Sequence, residues 1–80
     1  MAKILVVDDE AQIREIVQRT LEKEGWEVSL AKDGLEALEQ VRRDAPEVIL
    51  LDLMMPRMDG FQFLAEMRRM DSIKDVPVIV

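Results

Sequence analysis

A chain of 80 residues, 49% hydrophobic and 35% charged, has room for one small hydrophobic core and no second domain. Its formal net charge of -6 disfavours adhesion to polyanions, so the expected ligand is a cation and neither nucleic acid nor an anionic membrane is an expected partner. The absence of cysteine and histidine removes disulfides, thiolate metal sites, the usual zinc ligands and the usual general base.

The opening segment MAKILVVDDE carries a short apolar run broken by acids, too short for a signal sequence or a membrane span, and the expected location is cytoplasmic. Ile4 to Val7 is continuous and rich in β-branched residues, which predicts a central parallel strand covered on both faces. From Ala11 to Glu24 the apolar residues Ile13, Ile16, Val17 and Leu21 fall three and four apart, predicting a helix that Gly25 ends. A short strand through Trp26, Val28 and Leu30 follows. Asp33, with Glu36 three positions on, predicts a capped second helix whose buried stripe is Leu35, Leu38 and Val41 and which stops before Pro46.

Val48 to Leu51 repeats the character of the first strand and ends at Asp52, beyond which Pro56 and Gly60 mark a loop. Asp59 is then the expected cap of a third helix with Phe61, Leu64 and Met67 facing inward, and Val76 to Val80 begins a fourth strand with Pro77 near its start. Met54, Met55, Met58, Met67 and Met70 read as packing, because methionine fills irregular apolar gaps. The order βαβαβαβ implies an α/β fold with a parallel sheet and right-handed crossovers. Placing the second and third strands on either side of the first gives the order 2-1-3-4, the start of a flavodoxin-like doubly wound sheet. The first helix then covers one face alone, and the outer surfaces of strands three and four lack a lid.

Ligands in such sheets bind beyond the carboxyl ends of the strands where strand order reverses, here between the first and third. Asp8, Asp9 and Asp52 stand at those two ends. Taken singly, Asp8 and Asp9 suit the positive end of a helix dipole and Asp52 suits a turn. Together they form an anionic cluster whose mutual repulsion calls for a cation. Mg2+ is the natural choice, since it takes hard oxygen ligands at about 2.0–2.1 Å. A metal beside a carboxylate invites phosphoryl transfer, in which the carboxylate attacks phosphorus and becomes an acyl phosphate.

VVDDE at 6–10, LLDLMMPRMDG at 50–60 and the closing VPVIV resemble the receiver domain of bacterial two-component response regulators over the whole chain. The resemblance implies a phosphorelay signalling module, not an enzyme. It puts the phosphoacceptor on Asp52 and the metal ligands on Asp8, Asp9, Asp52 and the backbone carbonyl of Met54, with Asp8 acting largely through water. It also implies Mg2+ as cofactor and a histidine kinase or small-molecule phosphodonor as partner. Family members carry a switch Ser or Thr after strand four and a lysine after strand five, and neither Thr20 nor Lys74 occupies those positions. Residues 1–80 thus read as the N-terminal part of a receiver domain, lacking strand five and the last two helices, with phosphorylation impaired.

A second expectation is a structural half-domain that associates through its bare sheet face, as a homodimer or strand-exchanged oligomer. A third, an aspartyl-phosphate hydrolase of the haloacid dehalogenase type, ranks last, because that group places an acid two positions after its nucleophile and Met54 stands there instead.

Overall fold

A computed structural model describes residues 2–52, 60–70 and 75–80. In chain order the elements are β1 (Lys3–Val7), α1 (Ala11–Lys23), β2 (Glu27–Ala31), α2 (Gly34–Arg43), β3 (Val48–Leu51), α3 (Gly60–Arg68) and β4 (Val78–Ile79). All strand pairs are parallel, in the order β2-β1-β3-β4, so the expected flavodoxin-like winding is the one found.

Strand residues alternate between two faces, and in β2 and β3 the burial follows that alternation. On one face Leu5, Val7, Ile49 and Leu51 meet Ala37, Leu38 and Val41 of α2 and Phe63 and Met67 of α3 in the main core. On the other, α1 contacts β1 and β2. Because α1 covers that side, Ile4 and Val6 are as buried as the residues they alternate with, and β1 is enclosed on both faces as its apolar run predicts. The cover does not extend across β3 and β4. Leu50 is half-buried, Ile79 is 58% exposed and Val80 72% exposed. An open groove of about 460 Å3 runs there, between Ile13 and Val17 of α1 and the outward residues Val6, Leu50, Ile79 and Val80.

Local signals act as their chemistry dictates. Gly25 takes a φ of +93°, the left-handed geometry that closes α1, and its N–H donates to the Glu22 carbonyl at 3.1 Å. The buried Asp33 side chain accepts the Glu36 N–H at 2.9 Å, while Glu36 Oε1 accepts the Lys32 N–H at 3.1 Å, a reciprocal cap one residue wider than the usual box. At the opposite end of the sheet, Lys3 Nζ pairs with Asp44 at 2.9 Å and ties β1 to the segment leaving α2. Asp44 holds the Lys3 amine above its ordinary pKa.

Of the two expected core stripes, Leu38 and Val41 of α2 and Met67 of α3 are buried as predicted, while the first residue of each stripe faces out. In α2 the buried set is Gly34, Ala37, Leu38 and Val41, and Leu35 is 40% exposed. In α3 the buried set is Gly60, Phe63 and Met67, with Leu64 half-buried, and Phe61 is 61% exposed. The cause is common to both: each helix advances about 100° per residue, and its contact stripe passes through a glycine one position before the large residue that hydropathy favours. The α1 stripe is shallower than its spacing implies, with Val17 and Leu21 half-buried and Ile13 and Ile16 exposed. The fourth strand is shorter than the expected 76–80; only Val78 and Ile79 pair with β3, and Pro77 contributes its carbonyl to the Ile49 N–H at 3.0 Å. The expected Asp59 cap lies outside the described residues.

The α3 stripe makes a direct prediction. Phe63→Ala empties a fully buried site and should cost about 3–5 kcal/mol, enough to unfold most of so small a domain. Phe61→Ala should cost less than about 1 kcal/mol. Urea unfolding of the two variants checks the assignment, and equal losses would contradict it.

Candidate functional site

The site is produced by strand register. Val7 of β1 lies opposite Leu51 of β3 and Ala31 of β2, so Asp8 and Asp52, the next residues along, leave neighbouring strands side by side. Two backbone bonds extend the ladders by one rung: Asp52 N–H donates to the Val7 carbonyl at 2.9 Å, and Asp8 N–H to the Ala31 carbonyl at 3.1 Å. A slip of one residue would send every side chain of a strand to the opposite face and break both of these bonds.

The turn from β1 into α1 is held in turn by the acids' own neighbours. Asp8 Oδ1 accepts the Glu10 N–H at 2.9 Å, closing a tight turn over Asp9. Glu10 is the N-cap of α1, and its carbonyl accepts the Arg14 N–H at 3.1 Å. One turn into the helix, Arg14 Nη1 donates to the Asp8 carbonyl at 2.7 Å.

Asp8, Asp9 and Asp52 each offer a carboxylate oxygen, and these atoms lie within 4.8 Å of one another. Asp8 and Asp52 are half-buried and Asp9 is exposed, so the cluster is open to solvent on one side. An octahedral ion of magnesium's size holds opposed oxygens about 4.2 Å apart and adjacent ones about 3.0 Å apart, so the three atoms would draw closer together to share one ion directly. An all-oxygen, anionic donor set suits hard cations such as Mg2+, Ca2+ and Mn2+ and not the softer metals that thiolates and imidazoles take. The site residues expected from the sequence are therefore brought together in three of four cases; Met54, the expected carbonyl donor, lies outside the described residues, as do Pro56 and Lys74.

Sequence reasoning missed the part played by Arg14. Its position five residues after Asp9, on an amphipathic helix, looks like any solvated basic residue until the β1–α1 turn folds back over it.

Residues 4–80 match the family described as response regulator receiver domain. Response regulator MprA of Mycobacterium leprae is 45% identical over 78 residues, which are 98% of this chain and 33% of that protein. The chain thus spans about a third of the length of the curated relatives it matches. Among solved structures, chemotaxis protein CheY4 of Vibrio cholerae superposes with a TM-score of 0.93 at 42% identity, covering 98% of this chain and 65% of that one. Response regulator protein TrrA of Thermotoga maritima, in complex with Mg(2+)-BeF, superposes with a TM-score of 0.84 at 38% identity, covering 90% and 63% respectively.

Proposed function

Because this chain belongs to the response regulator receiver domain family, we propose that it is the phosphoacceptor of a two-component relay, with Asp52 as the accepting residue. The observation that carries the reading is the gathering of Asp8, Asp9 and Asp52 at the point where strand order reverses.

In the proposed step an Asp52 carboxylate oxygen forms a bond to phosphorus while the bond from phosphorus to the donor breaks, and the electron pair leaves with the donor. The donor is a phosphohistidine of a kinase or a small acyl phosphate, and the product is an acyl phosphate on Asp52. Asp9 and Asp52 directly, Asp8 through water, and the Met54 carbonyl are the groups proposed to hold Mg2+. When bound, the ion supplies positive charge to the phosphoryl oxygens. The Mg(2+)-BeF complex of the Thermotoga relative supports that choice of metal. The backbone bonds from Asp52 to Val7 and from Asp8 to Ala31 keep the acceptor and its anionic neighbours from swinging apart.

The reading includes a cytoplasmic location, supported by the charged, cysteine-free composition. As a signalling module it carries the phosphoryl group on its own Asp52, and hydrolysis of that acyl phosphate returns the free carboxylate.

Incubation with acetyl phosphate and Mg2+, followed by intact mass, should show one added phosphoryl group that Asp52→Asn and chelation each abolish. No Asp52-dependent gain in mass would contradict the assignment.

One further observation favours a second reading, in which self-association is the main property. The groove beside α1, apolar apart from Asp8 and Asp52, and the apolar outer residues of β4 lie together on one face, so a second copy can present each to the other in a symmetric contact. Light scattering should then report a dimer at tens of micromolar, which requires an association free energy of about 7 kcal/mol or stronger. A well-folded monomer at that concentration would remove the reading.

A further inference from the structure

We propose that Arg14 is a positioning residue for the acidic site, acting through the backbone that joins Asp8 to Asp9 and not through a carboxylate. The inference rests on the reading that Asp8, Asp9 and Asp52 hold a divalent cation.

An arginine within one helical turn of an anionic cluster is ordinarily drawn onto a carboxylate, where both partners are charged and the bonds are strongest. Here the hydrogen bond that the Arg14 side chain makes among the described residues goes to a carbonyl, at 2.7 Å and partly buried. That choice leaves the carboxylates to a cation while fixing the chain that carries them. The Asp8 carbonyl belongs to the planar peptide unit whose other end is the Asp9 nitrogen. Holding the oxygen therefore sets the plane from which Asp9 departs. Asp8 is pinned at three points: its N–H on Ala31, its carboxylate under the Glu10 N–H, and its carbonyl on Arg14. Asp9 is exposed and takes its direction from this frame, since little packs against its side chain.

Arginine at this place has two effects of opposite sign. Its positive charge repels a divalent ion nearby, whereas its bond holds Asp9 where the ion needs it. Solvent and salt weaken the first, because the cluster is open on one side. They leave the second in place. The tether is therefore the larger effect, and the loss of such an outer-shell partner lowers metal affinity by about ten- to a hundredfold in characterised metal sites.

Calorimetric titration of Mg2+ into the unphosphorylated chain and its variants separates the two. Arg14→Ala should bind Mg2+ about tenfold more weakly. Arg14→Lys, which keeps the charge and one donor, should recover most of the loss. In metal-free protein the Glu10 amide, which donates to Asp8 Oδ1, should exchange faster in Arg14→Ala while the circular dichroism spectrum is unchanged. Binding by Arg14→Ala as tight as or tighter than that of the unaltered chain would overturn the proposal and leave the metal site standing. No Mg2+ binding by the unaltered chain would overturn the metal reading itself.

Discussion

The parallel pairing of β1 with β3 is the constraint on which everything else in this molecule depends. It sets Val7 against Leu51, and the Asp52 N–H then finds the Val7 carbonyl at 2.9 Å. Two acids that are 44 positions apart in the sequence, Asp8 and Asp52, become neighbours at one rim. The arrangement opposes its own electrostatics, since three carboxylates with oxygens within 4.8 Å repel one another. Apolar burial holds them there. Leu5, Val7, Ile49 and Leu51 are each at most 4% exposed, and separating β1 from β3 would expose them and break the Asp52 bond to Val7.

The two faces of the sheet are used unequally, and this asymmetry places the functional surface. The side under α2 and α3 carries the dense core around Phe63 and Met67 and provides most of the stabilisation. The side under α1 is covered over β1 and β2 and open over β3 and β4. α1 has no fully buried residue, yet it carries both Glu10's cap and Arg14's grip on Asp8. A helix that contributes little core thus shapes the turn that bears two of the three acids.

Much of this was legible in the sequence because the relevant signals are local and strong. Continuous apolar runs at 4–7 and 48–51 announced buried strands, Gly25 announced the end of α1, and Asp33 with Glu36 announced the cap of α2. The winding order followed from chain connectivity, and the order brought Asp8, Asp9 and Asp52 together. What escaped was decided by size and not by hydropathy. Gly34 and Gly60 occupy buried positions at the starts of α2 and α3, and their neighbours Leu35 and Phe61 face out. Arg14 escaped because its partner is a backbone carbonyl, which has no letter in a sequence.

The central claim is that strand register, with the turn from β1 into α1, assembles a cation site from the paired acids of one strand end and the single acid of the other. Amide chemical shifts recorded during a Mg2+ titration of the unphosphorylated chain test it most directly. The account predicts that the amides of Asp8, Asp9, Glu10 and Asp52 move together along one saturable curve, because a single ion is shared between both strand ends. Shifts confined to one strand end, or none that saturate, would contradict it.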